Sequence, residues 1–184
     1  MSLFDFFTWG RDGRAQVIEA PRIQPMEPEA APGRKRLAGV VGATAVAGLI
    51  AVVAQWEGKE NDPYQDIVGV WTVCYGETRV EMRRYTDAEC KDMLADGLAD
   101  FAGPVLKRNP ELKGHDPQQI AAVSLAYNIG PQAYARSSVA RKFSAGDWRG
   151  ACDAFLAWNR AGGKEVAGLT RRRQSERAIC LRGL

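Results

Sequence analysis

The stretch W-E-G-K-E-N-D-P-Y-Q-D-I-V-G-V-W-T-V-C-Y-G-E-T, Trp56 to Thr78, sets the fold class. Asp62-Pro63 and Gly69 interrupt it. Val68, Val70, Trp71, Val73 and Tyr75 supply β-favouring side chains, so Glu60 to Thr78 is expected as short strands and turns. Beyond it the signals are helical. Thr86, with Glu89 three residues later, is a capping box for a helix running to about Leu98 or beyond. Asp116-Pro117 opens a second helix, carrying Ile120, Val123, Leu125 and Tyr127 and stopping near Gly130. Pro131 opens a third stretch that ends at Gly146. Asp147 caps a fourth, with Trp148, Cys152, Phe155, Leu156 and Trp158 at helical spacing, before the break at Gly162-Gly163. A last amphipathic helix from about Thr170 to Leu181 is apolar at Ile179 and Leu181 and basic at Arg171, Arg172, Arg173 and Arg177. The fold class is α+β, a small hairpin sheet lobe and a mainly helical lobe with a ligand-sized cleft between them.

Upstream the chain changes character twice. Leu37 to Ala54, LAGVVGATAVAGLIAVVA, carries no charge and follows directly on Arg34, Lys35 and Arg36. It is about long enough to cross the hydrocarbon core of a bilayer as a helix, its cationic end held in the cytoplasm. Six Ala, three Gly and five Val stand against only Leu37, Leu49 and Ile50 from the Leu/Ile class, so its hold on a membrane should be weak. It can be read as a permanent anchor, as a signal peptide cleaved before Gln55, or as a helix that inserts and later escapes. An uncharged run with a basic flank is unusual for the buried helix of a soluble protein. Residues 1–36, with Pro21, Pro25, Pro28 and Pro32 and mixed charges, read as a flexible arm on the cytoplasmic side. Phe4, Phe6, Phe7 and Trp9 at its start could touch a membrane surface.

Composition narrows the classes further. The 184 residues carry 25 Lys plus Arg against 22 Asp plus Glu and are 46% apolar, which suits a folded chain and excludes a collagen-like or wholly disordered one. A net charge of +3 gives no argument for nucleic acid. All four cysteines, Cys74, Cys90, Cys152 and Cys180, lie beyond the apolar run, which suggests an oxidising compartment and two disulfides. Three pairings are open; Cys74 with Cys90 and Cys152 with Cys180 is the one expected. With no CxxC and His115 as the only histidine, a zinc site has little to build on, and His115 reads as a surface residue.

Glu57 ends the helix that the apolar run begins, Asp66 follows nine residues later and Thr72 six after that. Glycosidic cleavage needs a protonated carboxyl beside the leaving oxygen and a second polar group directing the nucleophile on the opposite face of the sugar. A carboxyl at a helix end and another on a facing hairpin can be held across a cleft in that way, although acids so spaced are commonly only solvated surface. The Glu, eight residues, Asp, five residues, Thr spacing resembles the catalytic triad of the phage-type lysozymes, the endolysins of glycoside hydrolase family 24. The resemblance extends to Pro63-Tyr64, Thr72 to Thr78, Ala126 to Gly130, Ala145 to Trp148, Gly162-Gly163, Gly168-Leu169, Arg171-Arg172-Arg173 and Glu176-Arg177. The chain departs from the commoner pattern at Cys74, where glycine is usual, and at Glu77, where histidine is usual.

The resemblance implies that Glu57 is the general acid and that Asp66 and Thr72 position and activate the attacking water. The enzyme would be a lysozyme or muramidase, inverting, cutting peptidoglycan between N-acetylmuramic acid and N-acetylglucosamine. It implies no cofactor and no metal. Tyr127, Asn128 and the basic helix Arg171 to Arg177 would touch the glycan or the wall. A lytic transglycosylase needs no water-positioning partner, and a non-catalytic wall-binding protein needs no triad, so Asp66 and Thr72 count against both. The Gly/Ala-rich apolar run next to Glu57 is similar to that of the signal-anchor-release endolysins. On that likeness the chain is exported and held in the host inner membrane through residues 37–54. Residues 55–184 then form a periplasmic muramidase domain, later released. The partners implied are peptidoglycan glycan strands, the inner membrane and a holin acting indirectly, with no nucleic acid; the enzyme would be a monomer. The segment has no cysteine to cage the site, so control is expected through topology alone.

Overall fold

The apolar run that reads as one helix forms two, meeting at 112°: α1 (Pro32–Val41) and α2 (Ala43–Ala54). The computed structural model describes residues 31–66 and 68–184. Gly42 makes the corner with φ 84° and ψ 152°, backbone territory essentially reserved for glycine. Among the described residues no single helix is long and apolar enough to cross a membrane, whereas the bent pair would be by length and composition together. Rather than preceding the helical lobe, both helices are built into it. Leu37, Val41, Ala45, Val46, Leu49, Ile50 and Val53 join its main core, α1 against α3 (Asp87–Arg108) and α2 against α4 (Asp116–Ile129).

Polar partners on α3 and α4 explain the bend. The backbone amides of Gly33 and Arg34, which have no acceptor within α1, donate to the Asp92 carboxylate at 3.2 and 2.9 Å. Arg36 bonds the Asp96 carboxylate at 3.0 Å and that of Asp100 at 2.5 Å. At the other end of α1, buried Gln119 donates from Nε2 to the Val41 carbonyl at 2.7 Å. Gly33 lies so close to α3 that a Cβ there would stand 2.1 Å from the Asp92 carbonyl oxygen. The arm expected over residues 1–36 therefore gives way to helix at Pro32, because α3 supplies the cap; residues 1–30, with Phe4, Phe6, Phe7 and Trp9, lie outside the described residues.

The hairpin lobe consists of β1 (Glu60–Gln65) and β2 (Trp71–Cys74), antiparallel, with Tyr64 opposite Thr72 and Gln65 opposite Trp71. Its own core is small: Val73, Cys74, Tyr85 and Cys90 are buried, with Val80, Met82 and Met93 against them. A Cys74–Cys90 disulfide ties β2 to α3. Thr86 and Glu89 form the capping box of α3, which continues through Pro104 to Arg108, well past Leu98. The stretch after Pro131 divides at Ser137 into α5 (Pro131–Arg136) and α6 (Ser138–Ser144), because the Ser137 hydroxyl accepts the Ala140 amide at 3.0 Å and starts a new helix. Asp147 caps α7 (Trp148–Ala154) in the same way through Gly150, at 2.9 Å. A single 3-10 turn, Phe155–Ala157, follows, then a two-residue ladder of β3 (Arg160–Ala161) and β4 (Lys164–Glu165) around Gly162-Gly163. The last helix, α8 (Ala167–Cys180), is held to α7 by the Cys152–Cys180 disulfide.

Candidate active site

Glu57 stands where the two lobes join. Its amide donates to the Val53 carbonyl at 3.2 Å, so the residue rides on an extra turn at the end of α2 just before β1 begins. Its side chain is 28% exposed, and Arg172 Nη1 donates to its Oε1 at 3.1 Å. Arg172, only 6% exposed, is fixed from behind by Glu176, its Nε standing 3.3 Å from the Glu176 carboxylate. Asp66 and Thr72 lie together on the hairpin. Asp66 Oδ1 accepts the amides of Val68 and Val70, both at 2.9 Å, the local bonding by which a short acidic side chain shapes a turn. Buried Thr72 donates its hydroxyl to the Val70 carbonyl at 3.0 Å, so both residues meet through Val70.

The far wall comes from the end of α4. The Tyr127 ring packs tilted on Phe101 with centroids 4.9 Å apart. Burial raises its hydroxyl pKa first, and the negative charges of Glu57 and Glu77 raise it further against the pull of Arg172. Asn128 is exposed, and its Oδ1 accepts from Arg173 Nη1 at 3.1 Å. Between hairpin, α3 and α4 opens a cleft of about 570 Å³ lined by Tyr75, Glu77, Arg79, Met93, Phe101 and Tyr127. Glu57 is not among the residues that line this cleft. Glu77, at a position where histidine is usual in the phage-type lysozymes, is paired with Arg79, whose two 3.0 Å bonds hold the carboxyl below its ordinary range despite partial burial. No cluster of three or more metal-ligating His, Cys, Asp or Glu occurs among the described residues. His115 is exposed beside Trp148, at the N-terminus of α4.

One expectation is corrected. The last helix reads in sequence as a basic face, yet Arg172 and Arg173 are buried together with Glu176 and only Arg171 of the triplet is exposed. The signal was present: arginine and glutamate three and four residues apart share a helix face and can pair there. Its partners outside the helix, Glu57, Ser124 and Asn128, are far away in sequence, so the pairing could not be read locally.

The sequence profile of the Phage lysozyme family matches residues 54–176. The SAR-endolysin of Enterobacteria phage P21 is 40% identical over 161 residues, covering 82% of this chain and 96% of that protein. The SAR-endolysin of Bacteriophage PS119 is 42% identical over 132 residues, covering 69% and 77%. Among solved structures, a mutant of P22 lysozyme superposes with a TM-score of 0.65 at 27% identity, covering 73% of this chain and 96% of that one. The endolysin from Escherichia coli O157:H7 phage FAHEc1 gives 0.64 at 27% identity, over 74% and 92%. A profile matching well over half the chain, long relatives near 40% identity and lysozyme neighbours in space agree: the chain belongs to the phage lysozyme family.

Proposed function

We propose that the protein is an endolysin that hydrolyses the β-1,4 bond between N-acetylmuramic acid and N-acetylglucosamine in peptidoglycan. Glu57 protonates the leaving oxygen, and Asp66 with Thr72 holds and activates the water that attacks the anomeric carbon from the opposite face, the inverting course. The observation that carries this reading is the placement of Glu57 at the junction of the lobes, held by Arg172, with Asp66 and Thr72 joined on one hairpin. Tyr127 and Asn128 at the end of α4 line the glycan path.

Residues 37–54 serve two environments in turn. Held as a signal anchor in the host inner membrane, N-terminus in the cytoplasm, they would keep Glu57 against the bilayer surface, since only Gln55 and Trp56 intervene. Released to the periplasm, they fold as the rest of α1 and α2, whose last turn carries Glu57. A holin acts on the membrane rather than on this chain, and the enzyme works as a monomer. The names of the P21 and PS119 relatives support this order of events.

The test is mass spectrometry of the soluble fragments that the full chain, in its soluble form, releases from purified peptidoglycan, beside Glu57→Gln. Reducing muramic ends that fall at least about 100-fold in the variant are expected. Anhydro ends would make the enzyme a transglycosylase, and absence of products from folded protein would overturn the catalytic reading.

A further inference from the structure

We propose that Glu176 is the positioning residue of the site: it fixes Arg172 and Arg173, and through them the carboxyl of Glu57 and the amide of Asn128, and it offsets one of the two positive charges buried behind that carboxyl. The inference rests on the reading of Glu57 as general acid.

Glu176 and Arg173 are fully buried and Arg172 nearly so, three charged groups between α4 and α8. Charges taken so far from water cost free energy unless each is paired, and an apolar trio of similar volume would serve stability as well or better. Every contact leads toward the site. Ser124 of α4 donates its hydroxyl to Glu176 Oε1 at 2.6 Å, and Arg173 Nη2 donates to the same oxygen at 2.9 Å. Arg173 Nε stands 2.8 Å from Oε2 and Arg172 Nε 3.3 Å from Oε1. From this hub Arg172 reaches Glu57 and Arg173 reaches Asn128, both at 3.1 Å, and Arg172 Nη2 also donates to the Ser124 carbonyl at 3.5 Å.

A general acid must hold its proton at the working pH, and a guanidinium against it favours the ionised form. Two buried cations balanced by one buried anion leave a single excess positive charge behind Glu57; without Glu176 there would be two. Tyr127 from α4 is a neutral phenol at that pH, its pKa raised by burial and then by the charges of Glu57 and Glu77. Glu176 is thus the anion of α8 that sets the net charge behind Glu57.

The experiment is the pH profile of kcat/KM on the soluble full chain. In E176Q the alkaline limb, which reports loss of the acid's proton, is expected to move about one pH unit lower. E176D, which keeps the charge, should restore the limb. R173M, which removes a cation, should move it the other way, and the paired variant E176Q/R173M should return it to the parent position. A limb that stays in place in E176Q while the rate falls would overturn the proposal and leave a structural role only. If E176Q does not fold, R173M and the paired variant decide in the same manner, an unmoved limb in R173M counting against. Glu57→Gln in parallel separates the two readings, because turnover surviving there would remove Glu57 as the acid whatever Glu176 does.

Discussion

Glu89 shows what one well-placed carboxylate contributes. The Arg83 guanidinium at 2.9 Å, and then the amide and hydroxyl of Thr86 at 2.8 Å, hold its carboxyl down at about 2 against an ordinary 4.5. A depressed acid stabilises the fold at every pH above its unfolded value and loses that contribution as pH falls through the folded one. The urea midpoint should therefore fall as pH drops from 4.5 toward 2, and Glu89→Gln should flatten part of that decline, less so in high salt because the pair is exposed. Thr86→Ala should cost about 1 kcal/mol at neutral pH, measured in the same titration, as loss of a helix cap does. An acid branch identical in Glu89→Gln and the parent would show that other acids set it. Those others exist: Lys59 holds Asp87 below its ordinary value and Lys142 does so for Asp147.

Between α1 and α2 a single backbone position separates the bent form from the continuous helix proposed for the membrane. Gly42, at φ 84° and ψ 152°, occupies a region where a residue with a side chain pays on the order of 1–3 kcal/mol, whereas in a straight helix alanine is favoured over glycine by about 1 kcal/mol. Gly42→Ala should thus penalise the bent, core-filling form and favour the continuous helix, raising the ratio of membrane-bound to soluble enzyme at least about 30-fold, since the two effects together come to about 2 kcal/mol or more and about 1.4 kcal/mol is a factor of ten. Fractionation at matched expression measures it; an unchanged ratio would show that the corner does not compete with insertion. The corner itself was not legible in sequence. Capping signals such as Thr86 with Glu89 or Asp147 with Gly150 are complete within four residues and read correctly, as did the strands and turns within Glu60 to Thr78. The bend depends on Asp92 and Gln119, which stand 58 and 78 residues away from Arg34 and Val41. For the same reason the resemblance could single out Glu57, Asp66 and Thr72, which lie close together in sequence, as candidates, while Arg172, Ser124 and Glu176 behind Glu57 were not legible.

At the scale of the whole molecule, the bent pair changes what counts as the domain. Residues 55–184 look self-sufficient in sequence, yet Leu37, Val41, Val46, Leu49, Ile50 and Val53 are core residues of the same lobe. Burial of one such side chain contributes about 1.5–3 kcal/mol, so the six together represent a gross contribution of the order of the net stability of a domain. Removing residues 1–54 would uncover the faces of α3 and α4 that α1 and α2 cover, delete the turn on which Glu57 rides, and leave Asp92, Asp96 and Asp100 facing one another along α3 without Arg36. The two disulfides lie wholly within the remainder and would hold the hairpin to α3 and α7 to α8, but neither replaces the lost apolar layer. The fragment Gln55–Leu184 is therefore expected to bind a hydrophobic dye, to melt without a cooperative transition, and to cut peptidoglycan at least about 100-fold more slowly than the soluble full chain, the scale on which a misplaced catalytic group acts. Calorimetry and turnover on the two proteins side by side decide it. A fragment that melts cooperatively and cuts at the full rate would make α1 and α2 a cover over a finished enzyme, and would remove the coupling between release of the segment and assembly of the site.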